Sequence, residues 1–573
     1  MNTIIEILTE KVSNAFIICG YQDSFGSVTK SDRPDLCQFQ CNGSFAAAKI
    51  YKKAPIIIAN QVTQHLSCDP TFKTITVAGS GFINMELSDS FLLQYLDDLL
   101  SDPHLGIKQT NTQETIFLDY GGPNAAKPLH VGHLRSAIIG DALKRLAEVT
   151  GRKTISDIHL GDWGLQMGLV IAELEDRDNC GENIAVSSHD WDTLYTIASQ
   201  KSKENQQFLQ RAREITAKFQ KGDTKYLSLW QKVMKQSIKN IKETYRMLHV
   251  DFDLWNGESD AETYVPELIE TLEKKHLLKE SMGAKIVDVA LPDDHAPIPP
   301  VIIKKSNGSN IYATTDLATI IARMKQYHPH EIWYIVDNRQ SLYFTQIFRC
   351  ARKAALISQD TALIHLCFGT MNGKDGKPYK TREGGVMKLS DFYQTVYEKV
   401  HERVSASAFS ENTDKEMLSH KITNAAIKFG DLMNHRAKDY IFDLEKFTAS
   451  EGKTGTFLLY TIARIHSLLK KADYDYERNK PVSIYTDTEK NLILLLALSN
   501  EKFELAYNEK APNLICEQAY EIASAFSKFY SENHILTETN VSKKQTWIYL
   551  CNATKQILHK HLDVLGIEPV EFM

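Results

Sequence analysis

One segment constrains this chain more than any other: Asp119-Tyr-Gly-Gly-Pro-Asn-Ala-Ala-Lys-Pro-Leu-His-Val-Gly-His133. The apolar run Thr115 to Tyr120 reads as a strand that ends in this Gly/Pro loop. A helix from about Val131 to Thr150 follows, closed by Gly151. A second strand candidate, Thr154 to Ile158, leads into Gly161-Asp162-Trp163-Gly164. Strand, loop, helix and strand in that order open a doubly wound α/β sheet. A helix N-terminus carries unpaired amides and partial positive charge, so it attracts phosphate. His130 and His133 lie one turn apart, face one side and can both donate to phosphoryl oxygens. Gly132 lets a nucleotide approach the backbone, and Lys127 adds a mobile positive charge. His-x-x-His alone marks only a helix start that carries histidines. The loop, Lys127 and the second glycine loop together point to a nucleotide site.

The rest of the chain divides around this segment. At 573 residues, several domains are expected, and 43% hydrophobic content supplies a core for each. The first hundred or so residues read as a small mixed α/β unit. It has helical periodicity over Ile4–Cys19 and strands at Thr74–Val77 and Phe82–Leu87, turned by Gly79-Ser80-Gly81. A helix, Ser90–Leu100, follows. A polar helical insertion spans Asn183–Leu248, and strand signals return at Lys285–Val289, Val301–Lys304, Ile332–Val336 and Leu363–Phe368. From about Leu418 the chain is helical. Apolar spacings in Leu458–Leu469, Leu492–Ala506, Ala519–Phe529 and Trp547–Leu558 predict an all-α bundle. The expected division is 1–107, 108–448 and 449–573.

Charge and cysteine usage narrow the class. A net charge of −6 argues against indiscriminate nucleic-acid binding and leaves a local basic track open. No apolar run is long enough to cross a bilayer, and Met1–Glu10 lacks the basic start of a secretory signal. Nine scattered cysteines fit a reducing cytoplasm. Cys37, Cys41, His65 and Cys68 could in principle ligate zinc, but their spacing matches no common module. Buried free thiols and no protein-held metal are expected.

His130-Val-Gly-His133 resembles the HIGH motif of class I aminoacyl-tRNA synthetases. The longer run from Pro123 through His133, with Leu134-Arg135-Ser136, is similar to the arginyl family in particular, as is Gly161-Asp162-Trp163-Gly164. The likeness runs nearly to Gly566-Ile567-Glu568 and Met573. The resemblance implies a Rossmann-type catalytic domain, a small N-terminal α/β domain that meets the tRNA elbow, and a helical C-terminal domain that meets the anticodon. It implies activation of L-arginine by ATP, with Mg²⁺ on the triphosphate, and transfer to the terminal adenosine of tRNA(Arg). A monomer without DNA or membrane partners is expected. No separate editing domain is apparent.

The same resemblance distributes roles. Lys127, His130, His133 and Lys380 would serve catalysis, and Gly132 and Arg382 would join His130, His133 and Lys380 around ATP. The second class I landmark, KMSKS, corresponds to Pro378-Tyr379-Lys380-Thr381-Arg382, so two of its lysines are Pro378 and Thr381 here. Taken alone, Gly-Lys-Asp-Gly-Lys-Pro reads as a solvated hairpin. Arginine would meet Asp119, Asn124, His130, Tyr312, Asp316 and Gln340, whose acceptors suit a planar five-donor cation. A serine common in the family is replaced at Gly121-Gly122. tRNA would meet Phe82 and Asn84 at the elbow, and Tyr460 and Arg464 at the anticodon, where Thr456 and Leu459 replace the usual Pro and Gln. Singly, Asp316 fits a helix N-cap equally well, Tyr312 and Phe82 fit core aromatics, and Gln340 fits a surface amide.

Two other readings share parts of this pattern. One is an HxGH nucleotidyltransferase making an activated metabolite, which rarely needs a long helical tail. The other is a catalytically silent relative that only binds RNA, for which the altered Pro378–Arg382 loop speaks. Pyrophosphate exchange with arginine, with and without tRNA, separates all three.

Overall fold

A strand buried on both faces must be apolar along nearly its whole length, and Thr115–Tyr120 is. In the computed structural model it sits at the centre of a four-stranded parallel sheet. Lys153–Asp157 pairs with one edge of it and Glu331–Ile335 with the other, and Ala362–His365 lies beyond. The chain thus builds outward one way and then returns to the opposite side. The strand order reverses between Tyr120 and Ile335, where doubly wound folds open a crevice for ligands. The structure describes residues 1–110, 112, 114–125, 127–179, 188–306, 311–379, 387–406, 414–475 and 480–573, without the side chains of 188–192.

Helix Val131–Val149 covers this sheet closely because Gly140 has no side chain; a Cβ there would stand 2.2 Å from the Tyr120 ring. Ser136, on the same helix, spans the reversal point: its Oγ donates to Ile335 O at 2.7 Å and accepts from Gly121 N at 2.8 Å. The polar insertion forms helices Ser188–Glu204, Gln206–Gln220 and Thr224–Met247. Two strand signals leave the central sheet. Ala284–Val287 and Val301–Lys304 join Leu278–Ser281 in a separate antiparallel sheet. Met282 and Gly283 have φ of 48° and 78°, a two-residue hairpin turn that can only join antiparallel strands.

The N-terminal unit is an antiparallel sheet in the order Val28–Lys30, Phe39–Cys41, Phe82–Leu87, Phe72–Ala78. Cys37 and Cys41 are buried thiols, whereas Cys68 is exposed, against expectation, because it follows the end of helix Pro55–Leu66 on the surface. This unit is tied to the C-terminal helices. Lys490 meets Glu86 at 2.8 Å, and Tyr549 Oη donates to Asp97 at 3.1 Å.

The C-terminal helices are Gly455–Lys471, Asp487–Ala497, Ser499–Glu509, Asn513–Glu532 and Val541–Val564. The single helix expected over Leu492–Ala506 is interrupted at Leu498, whose carbonyl takes the Gln518 side-chain amide at 3.2 Å. A side chain inserted into the ladder is a recognised cause of such a break.

One buried cation fastens these layers. Arg135 Nε meets Asp431 Oδ2 at 3.1 Å, and its Nη1 donates to Gly369 O at 2.7 Å and Lys438 O at 3.0 Å. Tyr440 Oη donates to the same Asp431 oxygen at 2.8 Å. Removing one partner of a buried ion pair strands the other charge, at about 3–5 kcal/mol. Arg135→Met should lower the unfolding free energy from denaturant titration followed by tryptophan fluorescence by that much, with a lower midpoint, and Arg135→Met with Asp431→Leu should recover most of it. An unshifted midpoint in the single variant would show that the pair is not structural.

Candidate active site

The helix at the phosphate end begins in an unusual way. His130 is the N-cap residue, with extended backbone at φ −125° and ψ 168°. Its Nδ1 accepts the Gly132 amide at 3.0 Å, and His133 Nδ1 accepts the His130 amide at 3.1 Å. Each imidazole therefore caps the helix with Nδ1, which a backbone N–H can meet only when that nitrogen is unprotonated. Both rings are then neutral, with Nε2–H left as the donor. Burial pushes both imidazoles down, His133 to about 3; Lys127 acts the same way on both, and His130 on His133. The expected pair of phosphate donors is thus present on one face, rings 4.0 Å apart, but as neutral donors. Gly132 serves the pair: a Cβ there would stand 2.7 Å from His130 Cε1.

Lys127 Nζ lies over the Tyr195 ring at 4.9 Å. Backbone pairing fastens the far side of the loop to Met387–Leu389: Val131 N donates to Met387 O at 3.1 Å and Leu389 N to Leu129 O at 2.9 Å. Lys380, Thr381 and Arg382 lie outside the described residues. Before them, Gly373 and Lys377 close a hairpin (N···O 2.8 Å), with Gly376 at φ 72°. Pro378 pairs with Asn372, and Tyr379 packs edge-on to Phe392 and Phe442.

At the other end of the crevice the side chains are acidic. Asp119, at the tip of the central strand, gives Oδ2 to Arg323 at 2.7 Å and keeps 13% of its side chain open. Asp316 lies within helix Tyr312–Tyr327, not at its cap, and accepts from Tyr343 Oη. Sequence reasoning missed Glu258, which is buried near Asp316 and Asp162. Burial first, then the charges of Asp316 and Asp162, raises Glu258 to about 8. Burial also raises Asp316 and Asp162, although Tyr343 and Ser259 donate to them. All three carboxyls are therefore raised by burial, Glu258 furthest. Glu258 follows a strand-like segment that meets Leu160 through Asn256 O at 2.8 Å; only this long-range pairing brings it in.

The remaining candidates divide. Asn124 pairs with Gly161, with Gly161 N donating to Pro123 O at 3.0 Å, so the two glycine loops form one wall. Tyr312 is 53% exposed, with Oη 3.5 Å from Gln166, and is not a core aromatic. Gln340 is exposed at the N-cap position of helix Ser341–Lys353, and its side chain makes no capping hydrogen bond. Serine has no room at the usual place: Gly121 has φ 73°, and a Cβ on Gly122 would meet Ile158 O at 2.3 Å. Phe82 is 37% exposed and packs edge-on to Phe45 at 4.7 Å, so it too is no core aromatic. Asn84, by contrast, is buried, and its Oδ1 accepts from Gln40 Nε2 at 2.8 Å. Tyr460 is part exposed and accepts from Arg464 at 2.6 Å.

Residues 95–444 match the family model described as tRNA synthetases class I (R), catalytic domain. Residues 2–87 match the arginyl tRNA synthetase N terminal domain, and 458–573 the DALR anticodon binding domain. An arginine–tRNA ligase of Alkaliphilus oremlandii is 44% identical over 100% of both chains, and one of Agathobacter rectalis is 42% identical over the same share. The solved arginyl-tRNA synthetase of Thermus thermophilus shares the fold, with TM-score 0.82 at 20% identity and 100% coverage of both chains. On the catalytic-domain match and the full-length relatives, this chain belongs to the arginyl-tRNA synthetase family of class I.

Proposed function

We propose that this chain is an arginine–tRNA ligase. It joins arginine to AMP with loss of pyrophosphate, then moves the arginyl group to tRNA(Arg). The observation that carries this reading is the crevice itself: neutral imidazole donors at a helix start, and at its other end carboxyls whose ionisation waits for a cation.

Arginine's guanidinium enters between Asp316 and Glu258, with Tyr312 along its side chain. Asp119, Asn124, Gln340 and His130 orient the α-amino and carboxylate ends. The carboxylate, already ionised, attacks the α-phosphorus; a P–O bond forms and the bond to pyrophosphate breaks. No strong base is needed, so the protein's work is positioning and stabilising negative charge. His130 and His133 donate Nε2–H to phosphoryl oxygens, and Lys127 supplies charge, joined by Lys380 and Arg382. In the second step a ribose hydroxyl of the terminal adenosine attacks the carbonyl carbon, and AMP leaves. Mg²⁺ would travel on the triphosphate: the donors beside the histidines are N–H groups, which do not suit a hard cation, so no step is assigned to it.

The division 1–107, 108–448 and 449–573 gives the first domain the tRNA elbow, with Phe82, and the last the anticodon, with Tyr460 and Arg464. Asn84 supports the elbow strand rather than a base. The enzyme works in the cytoplasm as a monomer.

His133→Ala should slow arginine-dependent pyrophosphate exchange by about 2–4 kcal/mol in the barrier, leaving arginine affinity within about twofold. Wild-type exchange should show no acid limb from His133 near pH 6.5, since burial holds that imidazole at about 3; a limb lost in His133→Ala would contradict a neutral donor.

Asp316→Asn should weaken arginine at least about tenfold and ATP hardly at all, about 1.4 kcal/mol on arginine alone. Unchanged arginine affinity would remove Asp316 from the slot.

Glu258, raised to about 8, holds a proton at pH 7, and an entering guanidinium lowers it. Arginine binding at pH 7 should therefore release a proton, and affinity should rise as pH rises through 8. Calorimetry in phosphate and Tris buffers reads the release; its persistence in Glu258→Gln would assign the proton elsewhere.

A further inference from the structure

Arg323 is a side chain that none of the above uses. It stands two turns beyond Asp316 on the same face of helix Tyr312–Tyr327, and is almost wholly buried. Its Nη2 meets Asp119 Oδ2 at 2.7 Å and Asp157 Oδ2 at 3.0 Å. Its guanidinium carbon lies 4.6 Å from the Phe117 ring centre and 5.6 Å from that of Tyr334. Nε and Nη1 make no hydrogen bond among the described residues.

Asp119 and Asp157 are register partners on adjacent parallel strands, so two carboxylates face one another at the sheet's C-terminal edge. They are not equivalent. Asp157 is 1% exposed and also accepts the amides of Asn256 at 3.2 Å and His159 at 3.4 Å, all within the fold. Asp119 has Arg323 as its ion-pair partner and keeps an open face. Asp157 is thus a fixed anchor for the guanidinium, and Asp119 is the group that the guanidinium holds in place. One helix therefore carries both the Asp316 carboxyl and the guanidinium that holds Asp119.

We propose that Arg323 is a positioning residue for the substrate. It pins Asp119 so that its free oxygen accepts the α-ammonium of arginine, while Asp316 and Glu258 are left for the guanidinium. This rests on the proposed reading of the crevice as an arginine slot. The resident guanidinium gives the slot its polarity. A substrate with two cations has two acidic ends to choose between, and one end already carries a partner shaped like the substrate's own side chain.

The test separates the two ends of the substrate. Arg323→Gln keeps hydrogen-bond donors and removes the charge. Arginine-dependent exchange should show KM for arginine raised at least tenfold, with KM for ATP within twofold. The inhibition constant of 5-guanidinopentanoate, which lacks the α-amino group, should stay within twofold. Asp119→Asn should show the same pattern, and the double variant should be no worse than Asp119→Asn alone. Equal weakening of arginine and the desamino analogue, or additive losses in the double variant, would overturn the proposal. If Arg323→Gln does not fold, Arg323→Lys is read the same way. It should raise KM for arginine several-fold with the analogue unchanged, and a parallel loss of both overturns the idea. Absence of arginine-dependent exchange in the wild-type protein, with tRNA present as well as without it, would instead sink the reading of the whole slot.

Discussion

The start of helix Val131–Val149 governs the site. Its first amides would be free in an ordinary helix, and here the amides of His130 and Gly132 are taken by two imidazole nitrogens. That single arrangement fixes the tautomer, the ring orientation and the charge of both histidines. It turns a motif that looks cationic in sequence into a pair of preorganised neutral donors. Neutral donors have an advantage in a site that must also release pyrophosphate: they follow developing charge without holding an anion as tightly as a fixed cation would. Net positive charge at this end is then left to lysine and arginine side chains, Lys127 among them.

Charge balance at the other end follows the opposite logic. Asp316, Glu258 and Asp162 are each raised by burial, Glu258 also by the charges of the other two, and Asp119 and Asp157 share Arg323. Carrying so many carboxyls in one crevice costs stability unless something compensates. A protonated Glu258 and a resident guanidinium are the compensations present. On the proposed reading, bound arginine would supply what remains.

Much of this architecture was legible in the residues. Thr115–Tyr120 ends where its apolar run ends, and the helix after it begins at the residue the glycine loop marks. These are local signals, apolar runs and turn residues within a few positions. The misses were non-local. Glu258 meets the charges of Asp162 and Asp316, and Arg323 holds Asp119 and Asp157, all distant in sequence, and nothing in their own neighbourhoods marks them. The strands Ala284–Val287 and Val301–Lys304 look like any buried strand until the Met282-Gly283 turn is read as a hairpin. Asn84 sits in a strand whose neighbour Phe82 does face out. Its side chain was consumed by Gln40, a partner that register alone supplies.

The helical tail is more than an appendage to the sheet. Helix Gly455–Lys471, which carries Tyr460 and Arg464, starts at a glycine whose Cβ would stand 2.0 Å from Ala425 O. Two helices seated this closely move together or not at all. Ala425 belongs to helix Lys415–Leu432, and near the end of that helix Asp431 holds Arg135. Arg135 lies two residues past His133, and its other hydrogen bonds go to Gly369 and Lys438, beside the strand that leads to the hairpin at Gly376. A displacement at Tyr460 therefore has a packed, hydrogen-bonded route to the helix that positions both imidazoles, through one glycine contact and one buried ion pair. The same rigidity that makes Arg135 costly to remove is what would let the two ends of the molecule act as one.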